Sequence, residues 1–319
     1  TYDQFIAGKE ITVEQEKGLT FSDYVFVERF RRQTKRYQNA MDFALKVFKD
    51  LPEKISIPTK CQPSLINKVH FNTLHTELDS LLMNKVLEIS SHTSGICLNS
   101  LLMACYFKLM NLWSGQNDLI INMPVFNREQ HLPNAKNIIG SFLDIFPVRI
   151  QTSPQEPIVS IARKIEQFVR TMLEYPISSI ELSRKIAEQE GLKQSSLSAI
   201  IFSNSINMLP KGISHSSRYL TIGAPKVQTG APGTYIDLVM YTWENKWCFD
   251  WNYVRELFDA EYIQLLSEQF TSMLNQLVDD TNTKGYEERS CSNILPLFYI
   301  KLLEQTNKTC LLYTSDAAD

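Results

Sequence analysis

Cys97 to Trp113 reads CLNSLLMACYFKLMNLW, and beyond Gly115 the chain continues as LIINMPV, Leu119 to Val125. Leu98, Leu101, Leu102, Cys105, Leu109 and Leu112 recur on one face of a helix, while Met103, Tyr106, Phe107 and Met110 fill the others. A helix that is apolar on nearly every side is a buried one. Gly115 closes it. A short apolar strand directly after a buried helix is the repeating step of layered folds, so the fold class expected is α/β.

Upstream, Phe21 to Phe48 reads as a helix, with Tyr24, Val27, Phe30, Ala44, Val47 and Phe48 at helical spacing. LPEKISIP, Leu51 to Pro58, breaks it, and Pro52 and Pro58 bracket an expected crossing between two lobes. Val69 to Leu74 reads as a strand and Thr76 to Ser90 as a helix. Downstream, Ile158 to Leu173 and Ser179 to Gln189 read as amphipathic helices separated by Pro176, and Ser198 to Ser205 as a buried strand. Tyr235 to Thr242 and Trp247 to Asn252 form a hairpin turning at Glu244 and Asn245. Alternation puts Ile236, Leu238 and Met240 on one side, with Tyr235, Asp237, Val239 and Tyr241 on the other. Asp259 caps a last amphipathic helix carrying Tyr262, Leu266, Phe270, Met273 and Leu277, and Glu261 suits the helix dipole. This body ends near Asp280, and the polar, aperiodic Thr281 to Ser292 reads as a linker.

The 319 residues are 44% hydrophobic and 21% charged, the balance of a globular body. A net charge of -3, with Lys and Arg scattered among Asp and Glu, leaves no basic stripe for a nucleic acid. Apolar runs stop well short of the ~20 residues a spanning helix needs, so no membrane segment is expected. The 6 cysteines are dispersed without a CxxC pair, which fits a reducing cytoplasm and argues against zinc. The chain opens on Thr1 without a signal peptide. Cys310 to Asp319 (CLLYTSDAAD) resembles the translation of a sequencing-library adapter and is not expected to belong to the fold.

Asn127 to Arg149, NREQHLPNAKNIIGSFLDIFPVR, resembles a signature of nonribosomal peptide synthetase condensation domains: an Asn-Arg pair, then Ile-Gly-x-Phe, then Pro-x-Arg. FSDYV (Phe21 to Val25) resembles that family's Tyr-x-Asp-Tyr element, Leu112 to Arg128 its helix-to-strand passage, and Phe249 to Asp259 its late strand and last helix. Ile294 to Thr309 resembles the opening of an adenylation domain. The resemblance implies a two-lobe fold like chloramphenicol acetyltransferase, mainly the C-terminal lobe here. The implied division is 1–58 for the rest of the N-terminal lobe and the crossing, 59–280 for the C-terminal lobe, 281–293 for a linker, 294–309 for the start of an adenylation domain and 310–319 for the adapter.

It implies amide formation between thioesters tethered to two carrier proteins, a donor and an acceptor, with no cofactor bound directly beyond the carriers' phosphopantetheine arms. The family's His-His-x-x-x-Asp-Gly motif is not in this sequence, and the resemblance places it upstream of Thr1. A condensation-like domain that only recruits a partner protein is the alternative of another class.

For individual residues the resemblance leaves choices. Asn127, Arg128, Gly140, Phe142 and Arg149 belong to the signature, as tunnel lining or as structure. Arg149 and Arg128 offer a phosphate site or an interior ion pair, and Gly140 offers a close approach for a substrate arm or a turn. APGTYID, Ala231 to Asp237, resembles the Thr-Pro-Gln-Val-x-x-Asp element of heterocyclization domains, which make thiazoline or oxazoline rings. Ser203, in Ile200 to Asn204, stands where their partner threonine does. Against that subtype, GSF departs from their Gly-Asp-Phe-Thr, and Pro147-Val148-Arg149 resembles ordinary condensation domains. His70, His75, His92, His131 and His215 have no partner at a recognisable catalytic spacing, and His70 and His75 lack a third ligand at metal-site spacing.

Overall fold

Short apolar runs and alternating segments build six strands, and the strands form one mixed sheet in the order β1-β6-β5-β4-β2-β3. The computed structural model describes residues 5–9, 18–126, 138–174, 177–191, 196–206 and 233–284. In chain order the elements are α1 (Phe21–Arg32), α2 (Lys35–Val47), β1 (Phe71–Leu78), α3 (Ser80–His92), α4 (Leu98–Ser114), β2 (Asp118–Phe126) and β3 (Leu143–Gln151). They continue as α5 (Ile158–Glu174), α6 (Ser179–Gln189), β4 (Ile200–Ser205), β5 (Ile236–Trp243), β6 (Lys246–Val254) and α7 (Ala260–Lys284). The central pairs β2/β4 and β4/β5 are parallel, and the outer pairs β1/β6, β5/β6 and β2/β3 are antiparallel.

Helix α4 forms the centre of the core, as its all-round apolarity predicts. Leu101, Leu102, Tyr106, Phe107, Leu109 and Met110 are each 0% exposed. Gly115 ends it in the left-handed conformation, with φ 69°. Lys108 lies on the same helix and is also 0% exposed. Its ammonium donates to the carbonyls of Ser153, Pro154 and Glu156 at 3.4, 2.6 and 2.5 Å, so three backbone acceptors replace its lost water and fasten the turn before α5. Tyr106 of α4 packs on Phe202 of β4 with ring centroids 5.6 Å apart, and Trp251 of β6 packs on Phe270 of α7 at 6.0 Å.

Several boundaries differ from the sequence reading for identifiable reasons. The expected helix Phe21 to Phe48 is two helices. Thr34 accepts from the Tyr37 amide at 3.2 Å and starts α2 afresh, although the apolar spacing runs on through the break. Strand β1 extends to Leu78 because Asp79, accepting from the Leu81 amide at 3.1 Å, is the cap of the next helix; Thr76 to Leu78 are therefore strand. Helix α7 runs to Lys284, past the end expected near Asp280, so the expected linker loses its first four positions. The hairpin turn falls at Glu244 and Asn245, with φ 46° and 63°.

Tyr37, Ala40, Met41, Ala44 and Phe48 share one hydrophobic core with α4. The buried face of α2, within the stretch 1–58 expected to belong to the N-terminal lobe and the crossing, thus packs in the same core as α4. Phe21 and Tyr24 of α1 pack instead in a separate small cluster with Ile138 and Phe142. No helix among the described residues is long and apolar enough to cross a membrane. The expected adenylation start at 294–309 and the adapter-like 310–319 lie outside the described residues.

Candidate functional site

Pleating divides the sheet into two chemically distinct faces. Leu238 and Met240 of β5, with Trp247, Phe249 and Trp251 of β6, point into the helix-covered core. Their neighbours Asp237, Asp250 and Asn252 project from the opposite face yet are also buried. Parallel pairing of β4 and β5 sets Ile201 opposite Asp237, which brings Ser203 alongside it on the same face. Ser203 Oγ donates to Asp237 Oδ1 at 2.8 Å, and Asp237 is 1% exposed.

The next strands extend this polar row. Asp237 is the register partner of Asn252, and Asn252 that of Thr73. Thr73 Oγ1 donates to Asn252 Oδ1 at 2.6 Å, while the buried Asn252 Nδ2 has no hydrogen-bond partner among the described residues. One register step on, Asp250 accepts from Tyr241 and lies 2.6 Å from Nδ1 of His75. Burial first, then the Asp250 charge, holds the Tyr241 phenol far above its ordinary range.

The sequence carries no signal for Asn252 or Asp250, and no partner for His75 at a recognisable catalytic spacing. Their pairing joins residues 175 positions apart, which only the strand register could reveal. His70 Nδ1 lies 2.7 Å from Glu256, and His92 lies 2.8 Å from the Glu88 carbonyl of its own helix, so both are satisfied locally. His131 and His215 lie outside the described residues, as do Asn127 and Arg128.

Gly140, Phe142 and Arg149 each have a structural task. A methyl group at Gly140 would overlap the Phe21 ring. The glycine is required for this close approach and not, as a turn would demand, for a positive φ. Phe142 meets the Phe21 ring at 5.3 Å and the Tyr24 ring at 4.6 Å. The FSDYV stretch and the IIGSF stretch therefore dock on each other. Arg149 gives Nε and Nη2 to Asp118 at 3.1 and 2.8 Å, and Nη1 and Nη2 to the carbonyls of Val47, Lys49 and Asp50 at 3.2, 2.8 and 2.8 Å. All five guanidinium donors are then used, which leaves none for a phosphate.

Chemically, the Ser203 and Asp237 pair is a hydroxyl on a buried carboxylate, able to hold and pass a proton. The sequence matches the family profile for the condensation domain over residues 1–293. Bacitracin synthase 1 of Bacillus licheniformis is 27% identical over 277 residues, which is 85% of this chain and 5% of that protein. The cyclization-docking bidomain of EpoB from Sorangium cellulosum superposes with a TM-score of 0.71 at 20% identity, over 85% of this chain and 54% of that one. The X-domain from teicoplanin biosynthesis superposes with a TM-score of 0.72 at 18% identity, over 88% and 64%. At these identities the two structural likenesses are likenesses of fold, and the chain spans only part of each relative's length.

Proposed function

The chain belongs to the condensation domain family of the nonribosomal peptide synthetases, and from that premise we propose that it carries the C-terminal lobe of a domain that forms amide bonds between carrier-tethered substrates. The amine of an acceptor held on one carrier protein attacks the thioester carbonyl of a donor held on another. A C–N bond forms, the C–S bond breaks, and the amine's proton leaves to reprotonate the donor carrier's pantetheine thiol. The phosphopantetheine arms belong to the carriers, and no cofactor of the domain's own is involved. The carrying observation is the family match over 293 residues, supported by the docking of FSDYV on IIGSF through Phe21, Gly140 and Phe142.

In this proposal the residues described here shape and line the site, and the acid–base histidine comes from a His-His-x-x-x-Asp-Gly motif in the other lobe. The boundary between lobes is proposed to lie near Gln33, because α2 is built into the core and α1 is not. An adjoining adenylation domain after residue 293 and a cytoplasmic location complete the reading. The test is reconstitution of the complete domain with two loaded carriers, followed by mass spectrometry of the acceptor carrier. An amide product supports the proposal, and its absence with folded, loaded components refutes it.

One observation favours a second reading. The 2.8 Å bond between Ser203 and Asp237 is the hydroxyl–carboxylate geometry that ring-closing dehydration would use. With a cysteine, serine or threonine acceptor, that reading predicts a product lighter by one water.

A further inference from the structure

The register that pairs His75 with Asp250 also pairs Glu77 with Cys248, so two successive cross-strand pairs of β1 and β6 project from the same face. The cysteines are too dispersed in sequence to suggest zinc. The sheet nevertheless gathers one imidazole, one carboxylate and one thiol, whose ligand atoms all lie within 4.8 Å of one another. His75 Nε2 is 3.8 Å from Glu77 Oε1. Ligands about a tetrahedral zinc ion sit roughly 3.3–3.8 Å apart, so a contraction of about 1 Å would suffice.

We propose that His75, Glu77 and Cys248 form a three-ligand site for a zinc-type divalent cation, with a fourth position open to solvent. The arrangement behind the imidazole argues for it. Asp250, whose side chain is 3% exposed, lies 2.6 Å from Nδ1 of His75. A buried carboxylate bonded to Nδ1 leaves Nε2, 3.8 Å from Glu77 Oε1, as the nitrogen free to bind, as outer-shell carboxylates do for metal-bound histidines. Tyr241 in turn hydrogen-bonds Asp250 and fixes it.

The electrostatics favour a dication over the bare thiolate. The Glu77 and Asp250 carboxylates lie beside Cys248 on the same face, and their negative field attracts a metal. Binding therefore displaces the thiol proton to solvent as the sulfur–metal bond forms. Lys246 opposes the site, with Nζ 2.6 Å from Glu77 Oε2, but it leaves Oε1 available. Imidazole with thiolate selects zinc, cobalt or cadmium over magnesium or calcium, which need more oxygen ligands. His75 and Glu77 are exposed, so the ion has an entry path.

The test is titration of the 319-residue chain with Co2+ and Zn2+, reading the near-ultraviolet thiolate-to-cobalt charge-transfer band and the proton release by calorimetry in two buffers. The expected result is one equivalent bound, about one proton released, and a band lost in Cys248→Ser but kept in Cys97→Ser. Glu77→Gln and His75→Gln change exposed side chains. Each should weaken binding about tenfold or more, which keeps the test decisive if Cys248→Ser fails to fold. A band that survives Cys248→Ser, or zinc affinity unchanged in both exposed variants, or no stoichiometric binding, overturns the proposal.

Discussion

Ser203 Oγ donates to Asp237 Oδ1 at 2.8 Å although the two are not register partners, because Ser203 lies opposite Val239 and Asp237 opposite Ile201. The bond is a diagonal one between same-face neighbours on parallel strands. Ser203→Ala removes a donor from a carboxylate that is 1% exposed, and should destabilise the lobe by about 1–2 kcal/mol. In the complete domain, Asp237→Asn separates the two subtypes. Amide yield should persist while any water loss from the product disappears, because a neutral amide cannot take up the proton released in dehydration. Mass spectrometry of the carrier-bound product reads both quantities.

Gly140→Ala should destabilise the docking of α1 by about 1–3 kcal/mol, since the added methyl meets the Phe21 ring and the rings of Phe142 and Tyr24 block its retreat. Phe21→Leu introduced together with Gly140→Ala should recover part of the loss. Denaturant unfolding of the single and double variants measures this coupling, and strictly additive losses would show that the two stretches do not depend on each other.

Arg149→Ala should cost about 2–3 kcal/mol, because it strands the Asp118 carboxylate and the three carbonyls at the end of α2. Arg149→Lys should fall between, since an ammonium has three donors where the guanidinium has five. The affinity of the complete domain for phosphopantetheinylated carriers should be unchanged in Arg149→Lys. A selective loss of carrier affinity without loss of stability would instead assign Arg149 to phosphate binding.

Much of the architecture is legible in the sequence where one local signal dominates. Helix α4 declares itself by its apolarity, Gly115 by its place after it, and the β5–β6 hairpin by alternation on both sides of Glu244-Asn245. Boundaries slipped where a side-chain cap interrupts a continuing apolar period, as Thr34 does between α1 and α2 and Asp79 does after β1. The Ser203 and Asp237 pair was found through family resemblance, and periodicity alone supplied only the shared face. The pairing of His75 with Asp250 and of Thr73 with Asn252 is not legible in the sequence, because it arises from cross-strand register between segments far apart in the chain. Gly140 carried a readable signal but not its reason, which is the ring of Phe21.

Glu166 should make stability depend on acid. Burial works to raise its carboxyl, but bonds from the Cys97 amide, Ser100 Oγ and Arg170 at 3.1, 2.7 and 2.9 Å outweigh it and bring it down to about 2. A carboxyl depressed below its ordinary 4.5 contributes fully above that pH, and the contribution fades as pH falls from 4.5 toward 2. Glu166→Gln should therefore lower stability at neutral pH by about 1 kcal/mol and flatten the acid limb in that window. Unfolding midpoints recorded across pH 2 to 7 check the prediction, and parallel curves for the two proteins would contradict it.

The most direct test of the central claim is intact-mass measurement of the acceptor carrier after mixing the complete domain with one donor-loaded and one acceptor-loaded carrier. The account predicts a mass increase equal to the donor acyl group, dependent on the domain and absent when the 319-residue chain, which lacks the His-His-x-x-x-Asp-Gly motif, is supplied alone. Full transfer by that chain alone, or no transfer by a folded complete domain with both carriers loaded, would contradict it.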